Sequence, residues 1–442
     1  DGQGGSSQQP VSFQIAPDTG AFGAALTGAP NATVRTAGAG GFTLVAHYDG
    51  TGELSVARGL YADGSIDTFT YTAGVETQEA QSHADNSKDI YKLNIEGRSY
   101  TAEHDRYDAA GHAVEVTRTH DDGTFDYHFT LVDGVQTAAR YDSDGVLASK
   151  TILYAAGGPE LSDLSRYANV GGTAVLTSET QVHADSSKDV YKLNILGKGY
   201  TAEHDVYDAA GDVVEVTRTH ADGTFNYHFT FDDGVQTTER YDTNGVLASK
   251  TTLYASGGSE LSDTLRYIDV GGQAVLTNET QVHADSSKDV YSLNILGKSY
   301  TAEHDVYDAA GKLAVVDRTN ADPAGSHTQT AYLAGQTLTS TGGVADTLKS
   351  AGGDTFTFAE GFGHDVVSGF HAGSSTGHDV LVLDQSQAES FADLTASHMI
   401  TASGRDTLIT LNATDTILLK NVQPASLTAD DFHFQAHGLF YV

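Results

Sequence analysis

Three stretches of this chain repeat one another at a fixed interval, and this constrains the fold more than any other feature. QSHADNSKDIYKLNIEGRSYTAEHDRYDAAG opens at Gln81, QVHADSSKDVYKLNILGKGYTAEHDVYDAAG at Gln181, and QVHADSSKDVYSLNILGKSYTAEHDVYDAAG at Gln281. The period is 100 residues without slippage, and the first two copies agree at about three positions in four. A sequence that repeats in register builds its fold from like units packed on their neighbours, with no need of a single core. The third copy departs after Thr319, where Asn320-Ala-Asp-Pro323 replaces His-Ala-Asp-Gly. Such degeneracy is expected of a terminal, capping repeat.

Turn signals subdivide each copy. Tyr-Asp-x-x-Gly, followed ten residues later by Asp-Gly, occurs at Tyr107…Gly123, at Tyr207…Gly223 and, before the first full copy, at Tyr48…Gly64. Related Tyr-Asp-x-x-Gly motifs begin at Tyr141 and Tyr241. Short β-rich runs lie between these turns, so the expected fold is all-β, built of hairpins. One hairpin is specified closely. A two-residue type I′ turn at Asp222-Gly223 places His220 opposite Phe225, Arg218 opposite Tyr227 and Val216 opposite Phe229. The other side then pairs Thr219 with Asn226, Thr217 with His228 and Glu215 with Thr230. One face is apolar and aromatic, the other polar, and a slip by one residue would mix them. Each pair contributes only about 0.2–1 kcal/mol. Neighbouring hairpins are therefore expected to cover the aromatic face.

This spacing resembles the Tyr-Asp (YD) repeats of bacterial Rhs-type proteins, over roughly Tyr48 to Thr319. The resemblance implies hairpins stacked side by side into a continuous sheet. The block HADSSKDVYKLNI…YTAEHDVYDAAG also resembles repeats near the C-terminal ends of large exported proteins of soil and plant-associated proteobacteria. Some of those carry a polysaccharide-degrading domain upstream; this chain shows no such segment.

From Gly352 the pattern changes to GGDTFTFAEGFGHDVVSGFHAGSSTGHDVLVLD, followed by Asp406-Thr-Leu-Ile-Thr-Leu and Asp415-Thr-Ile-Leu-Leu. Short strands alternate with Gly-Asp or Gly-His-Asp turns. The last 95 or so residues resemble the terminal part of the RTX (repeats-in-toxin) family, although Gly352-Gly-Asp354 is only a truncated form of its Gly-Gly-x-Gly-x-Asp nonapeptide. That resemblance implies a β-roll or sandwich, Ca²⁺ as cofactor, and folding triggered by calcium outside the cell. Ca²⁺ takes six to eight oxygens, which Asp carboxylates and turn carbonyls supply. Asp354, Asp365, Asp379 and Asp384 are the candidate ligands; equally, they serve as turn residues that bond their own backbone. The resemblance also implies type I-like export by an uncleaved C-terminal signal, for which Leu427-Thr-Ala-Asp-Asp-Phe-His-Phe is the candidate. The ending Leu439, Phe440, Tyr441 and Val442 reads as part of that signal or as a last docked strand.

Composition narrows the function classes. The 442 residues carry 24 Lys and Arg against 59 Asp and Glu, a net charge of −35. Such a chain repels the phosphate backbone, so no nucleic-acid partner is expected. No cysteine is present, which removes disulfides, thiol nucleophiles and Cys-based metal sites, and suits passage through a channel unfolded. No apolar run approaches the roughly 20 residues of a membrane helix, so no membrane insertion is expected. The first residue is Asp, read as a processed chain or a fragment, and residues 1–10 read as a flexible lead-in.

Some residues invite chemistry. His83, His183 and His283, His104, His204 and His304, and His120 and His220 recur in register. Repetition copies structural residues as faithfully as ligands, and the expectation is structural, with His220 opposite Phe225. The pairs Glu103/Asp105, Glu203/Asp205 and Glu303/Asp305 have the spacing of a carboxylate dyad for glycoside hydrolysis, since i and i+2 share a strand face. Three identical active sites without a cleft-forming segment argue against it, so no enzyme is expected. The 22 tyrosines are expected to cover the sheet rather than to stack on sugars.

The expected organisation is an N-terminal segment 1–45, flexible or strand-donating; a degenerate first repeat 46–80; repeats 81–180 and 181–280; a truncated capping repeat 281–345; and a C-terminal domain 346–442. Together they form tandem hairpins of 100-residue period in an elongated sheet or solenoid, followed by the roll. The expected function is that of a secreted or surface-associated bacterial structural or adhesive protein. It self-associates into an oligomer or fibre, and extracellular polysaccharide is a further partner. The alternatives are a non-catalytic C-terminal region of a secreted polysaccharide-active enzyme, or a carbohydrate-binding module.

Overall fold

A computed structural model describes residues 20–436. The lead-in 1–10 and the apolar ending Leu439 to Val442 lie outside them. The chain divides into two compact units, Asp1–Ala221 and Asp222–Val442.

In the first unit every strand from Thr33–Ala37 to Val213–Thr219 pairs antiparallel with the next. Its apolar cluster sits at the beginning of this meander: Ala24, Leu44, Ala46, Tyr48, Leu54, Ala57 and Tyr71. The Tyr71 hydroxyl accepts the Ala21 N–H at 2.6 Å and ties the incoming chain to the cluster. Beyond it the sheet has no covering layer of its own. In residues 81–221 the buried residues are Ala139 and four carboxylates, Glu103, Asp105, Glu203 and Asp205. The aromatic side chains there stay mostly half-exposed. Adjacent hairpins extend the sheet sideways and do not roof it, contrary to the sequence expectation.

The hairpin specified by the sequence is best seen one period earlier. Glu115↔Thr130, Val116↔Phe129, Thr117↔His128 and Arg118↔Tyr127 face each other as the repeat requires. Phe125, however, lies opposite Thr119 and not His120, after a register shift beside Arg118. The turn is the reason. Gly123 N–H donates to the His120 carbonyl at 3.0 Å, and His120 N–H to the Thr124 carbonyl at 2.9 Å. The positive φ falls on the glycine alone, 81° at Gly123 and 85° at Gly223. A type I turn closed by a glycine bulge thus replaces the expected type I′ pair. Asp122 favours it, because its Oδ1 accepts both the N–H and the hydroxyl of Thr124, at 2.9 and 2.6 Å. His120 loses its expected partner, and its Nε2, like that of His220, is buried and accepts or donates no hydrogen bond.

The Tyr-Asp motif has the same logic. Asp108 Oδ1 accepts the N–H groups of Ala110 and His112, and Asp142 Oδ1 those of Asp144 and Val146. The aspartate shapes the turn, the glycine supplies its left-handed residue, and the tyrosine ends the strand before it.

The second unit begins as the same antiparallel meander, from Phe225–Asp232 to His327–Ala331. It then changes to parallel pairing. His327–Ala331, Thr347–Lys349, His364–Ser368 and Thr416–Leu419 stack in one sheet. Thr337–Thr339, Thr355–Phe358, Val380–Asp384 and Phe432–Gln435 stack in another. Strands alternate between the two sheets along most of this stretch, so the chain coils as a two-sheet parallel roll that begins inside the segment read as a capping repeat. Here there is a true core: Leu338, Leu348, Phe356, Phe358, Val367, Leu381, Leu383, Leu394, Ile409, Ile417 and Leu419 are fully buried. The candidate export segment supplies the strand Phe432–Gln435, introduced by a capping box in which Thr428 and Asp431 bond each other's backbone.

Candidate functional site

Each face of the repeat sheet carries a charged cluster. On one face Lys92 reaches from strand Lys88–Lys92 to two carboxylates of strand Ala102–Tyr107, bonding Glu103 and, at 2.9 Å, Asp105 Oδ2. Arg118 Nε donates to the other Glu103 oxygen at 2.5 Å and lies 4.9 Å from the Tyr100 ring centroid and 5.1 Å from that of Tyr127. Copy two repeats the arrangement with Lys192, Glu203, Asp205, Arg218 and Tyr200. Burial disfavours the charge on Glu103 and Glu203, but the bonds from lysine and arginine outweigh it and hold both below the usual glutamate range. A glycosidase needs a protonated acid, which calls for the opposite shift.

On the other face an aspartate holds two imidazoles. Asp89 bonds His83 Nε2 at 2.7 Å and His104 Nε2 at 2.8 Å; Asp189 bonds His183 at 2.6 Å and His204 at 2.7 Å; Asp289 bonds His283 at 2.6 Å and His304 at 2.7 Å. Tyr91, Tyr191 and Tyr291 stack on the second imidazole with centroids 4.1–4.2 Å apart. His83 and His104, His183 and His204, and His283 and His304 are thus each joined through one carboxylate, a structural use of the ring nitrogens. Tyr91, Tyr191 and Tyr291 lie against imidazoles, and Tyr100, Tyr127 and Tyr200 against guanidinium groups.

Of the four candidate calcium ligands, the roll places three at the starts of parallel strands. Asp354 accepts N–H groups from Gln336 at 2.7 Å, Ala351 at 2.7 Å and Gly352 at 3.2 Å, and the Ser350 hydroxyl at 2.8 Å. Asp365 accepts the Asp346 N–H at 2.8 Å and the Ser340 hydroxyl at 2.5 Å. Asp379 accepts the N–H groups of Asp354 at 2.7 Å and His371 at 2.8 Å. Asp384 instead ends its strand and caps the turn through Ser386 N–H at 2.9 Å. All four are buried. Asp346, Asp415 and Asp431, which sequence reasoning did not single out as a set, take the same strand-start position and accept backbone N–H groups of His327, Gly363 and Gly373. The shared signal is an aspartate followed by the first strand residue and then, in most cases, a large apolar one: Asp346-Thr-Leu, Asp354-Thr-Phe, Asp379-Val-Leu, Asp415-Thr-Ile.

These carboxylates do not fit a calcium site. Asp354, Asp365 and Asp379 each accept a backbone N–H of a neighbouring coil, Asp384 accepts one of its own turn, and among the described residues no three His, Asp or Glu side chains converge on a point where an ion could sit. The donors do what the cation would do, which is to neutralise a buried carboxylate between coils. Burial nevertheless pushes Asp365 up to about 7, against the bonds from Ser340 and Asp346.

No family model matches the sequence, and no curated protein matches it. Among solved structures the chain is similar to the crystal structure of TcdB2-TccC3-Cdc42, at 13% identity and a TM-score of 0.18, over 67% of this chain and 17% of that one. It is also similar to TcdB2-TccC3 without its hypervariable C-terminal region, at 11% identity and a TM-score of 0.13, over 67% of this chain and 22% of that one. The chain spans less than a quarter of either, and at these TM-scores the likeness carries no argument.

Proposed function

We propose that the chain is a non-catalytic structural protein of the bacterial exterior, whose repeat sheet works by lateral association with a second copy. The observation that carries this reading is the unroofed sheet: residues 81–221 bury four carboxylates and one alanine, while rows of aromatic and cationic side chains stay half-exposed. A sheet of this kind is completed by another surface. Leu196 and Leu296, each 91% exposed at equivalent loop tips, add apolar contacts one sequence period apart. The carboxylate pairs support the non-enzymatic part of the reading, since cations neutralise them in two copies. Export by a type I-like route accords with the absence of cysteine and the acidic charge.

Sedimentation velocity over a wide concentration range, with electron microscopy of the same samples, tests the proposal. Concentration-dependent assembly into regular oligomers or fibres is expected. A strictly monomeric particle at the highest concentration overturns it. The half-exposed tyrosines favour extracellular polysaccharide as the second reading, and a glycan array without hits would remove it.

A further inference from the structure

Strand pairing sorts the charges of the first unit by face. One row of directly opposed residues crosses eleven strands without a break, from Lys88–Lys92 to Val213–Thr219. Lys92, Arg118, Arg140, Arg166, Lys192 and Arg218 stand in it, one on every second strand, and Glu103 and Glu203 stand between them. Directly opposed residues share a face. Three residues earlier, five of those six strands carry a carboxylate: Asp89, Glu115, Asp163, Asp189 and Glu215. An odd separation puts it on the opposite face. These five share one row there, with Arg106 as its cation.

The first row thus holds six cations against two glutamates, a net charge of +4, and the second one arginine against five carboxylates, a net of −4. Elsewhere on these strands Asp105 and Asp205 share the first face with Lys88 and Lys188, and Glu179 shares the second with Lys150, so these offset one another. Burial sharpens the contrast. Glu103 and Glu203 are buried, while Arg140, Arg166 and Lys192 are exposed, so a neighbour meets cations on the first face. On the second face burial disfavours the charge of Asp89 and Asp189, but the bonds from their histidines outweigh it and keep both carboxylates ionised.

The two rows also match in spacing. Cations on every second strand lie about 10 Å apart, and the carboxylates occupy five of the same strands. A second copy shifted by three residues along the strands brings its carboxylate row over the cationic row, in step at those five strands. Identical sheets twist alike, so the rows can follow one another. We propose that the cationic face of the repeat sheet in one copy of this chain docks on the carboxylate face of another. This rests on the association proposed above and adds which surfaces meet. Such a contact is heterologous: each copy keeps one free face of each sign, and assembly continues without closing.

The test is sedimentation velocity of the full chain and its variants, with melting curves as the control for folding. Arg140→Glu with Arg166→Glu reverses two charges of the first face. Asp163→Lys with Glu179→Lys reverses two of the second, and Asp163→Asn with Glu179→Gln serves as its isosteric form if the lysines disturb folding. Each variant should raise the self-dissociation constant at least about tenfold, although those of the second face leave the chain less acidic. An equimolar mixture of a first-face and a second-face variant should form a complex that neither forms alone, because the intact cationic face of one meets the intact carboxylate face of the other. Unchanged assembly in the variants, stronger assembly by the second-face variants, or a mixture that stays monomeric overturns the proposal and leaves the association reading standing. A parent that stays monomeric overturns both, and one that sediments faster only with added polygalacturonate assigns the cationic face to an acidic polymer instead.

Discussion

Asp365 Oδ1 accepts the backbone N–H of Asp346 at 2.8 Å, and both residues begin parallel strands of the same sheet. One carboxylate thereby fixes the start of the preceding coil. Asp365→Ala leaves the Asp346 N–H and the Ser340 hydroxyl buried without partners, a loss of about 2–4 kcal/mol. Asp365→Asn keeps an acceptor for the N–H and a donor for the hydroxyl. The pH dependence separates the two effects. The folded value, about 7, lies above the ordinary aspartate value of about 3.9. The folded form therefore binds its proton more tightly, so its contribution is full below about 3.9 and is lost as pH rises from there through about 7. Asp365→Asn should be more stable than the parent at pH 8 and close to it only below about pH 4, as read by urea unfolding under circular dichroism.

Chelation tests the roll from another side. Because Asp354, Asp365 and Asp379 face N–H donors, EDTA should leave the melting transition unchanged, and added calcium should not raise it. A drop in the transition on adding EDTA would show that the carboxylates rearrange around an ion.

The clamp that Asp189 forms between His183 and His204 gives copy two a different pH response. Its hydrogen bond to Asp189 raises His183 above the ordinary histidine value, so this contribution is full below about 6.5 and lost as pH rises through the folded value. Asp189 is lowered despite burial, by His183 and His204, so its contribution is full above about 3.9 and lost only in stronger acid. The clamp is therefore strongest between about pH 4 and 6.5. Amides of strands Thr173–His183 and Lys188–Lys192 should exchange more slowly, after correction for intrinsic rate, at pH 5.5 than at pH 8. Asp189→Asn should abolish the difference.

Glycines of the Tyr-Asp-x-x-Gly turns separate two costs. Gly211 has φ 91° with nothing within 4 Å of where a side-chain methyl would sit, whereas at Gly245, φ 74°, that methyl would meet Thr224 Cβ at 2.7 Å. Gly211→Ala should cost about 1–2 kcal/mol from backbone conformation alone. Gly245→Ala should cost more, because the threonine must also move. Equal losses in thermal or urea unfolding would contradict the turn geometry.

How far these features could be read from the sequence follows from distance along the chain. Turn chemistry is local, so Asp108-x-x-Gly111 announces its turn, and the register of Val116 with Phe129 follows from it. The bulge beside Thr119 is harder to read, because Asp122 bonds Thr124 rather than permitting a two-residue turn. The lysine–carboxylate cluster needs a register in hand: Lys92 meets Asp105 only when strands Lys88–Lys92 and Ala102–Tyr107 are aligned. The aspartates of the roll are visible as turn residues, but their reach to another coil spans 19 residues between Asp346 and Asp365, and 25 between Asp354 and Asp379. Local pattern cannot choose there between a cation and an N–H as the carboxylate's partner.

The loop tips connect the repeat to its proposed association. Leu196 and Leu296 are 91% exposed, and copy one has Glu96 at the same position. Leu196→Glu with Leu296→Glu therefore installs a residue that the loop already accommodates. Neither leucine is part of a buried cluster, so stability should change by less than about 0.5 kcal/mol. Self-association should weaken, since two exposed apolar knobs become charges on an already acidic chain. Sedimentation velocity on the double variant and its parent, with melting curves as the control for folding, reads both effects. Undiminished assembly by a stably folded variant would move the contact from these tips to the faces of the sheet.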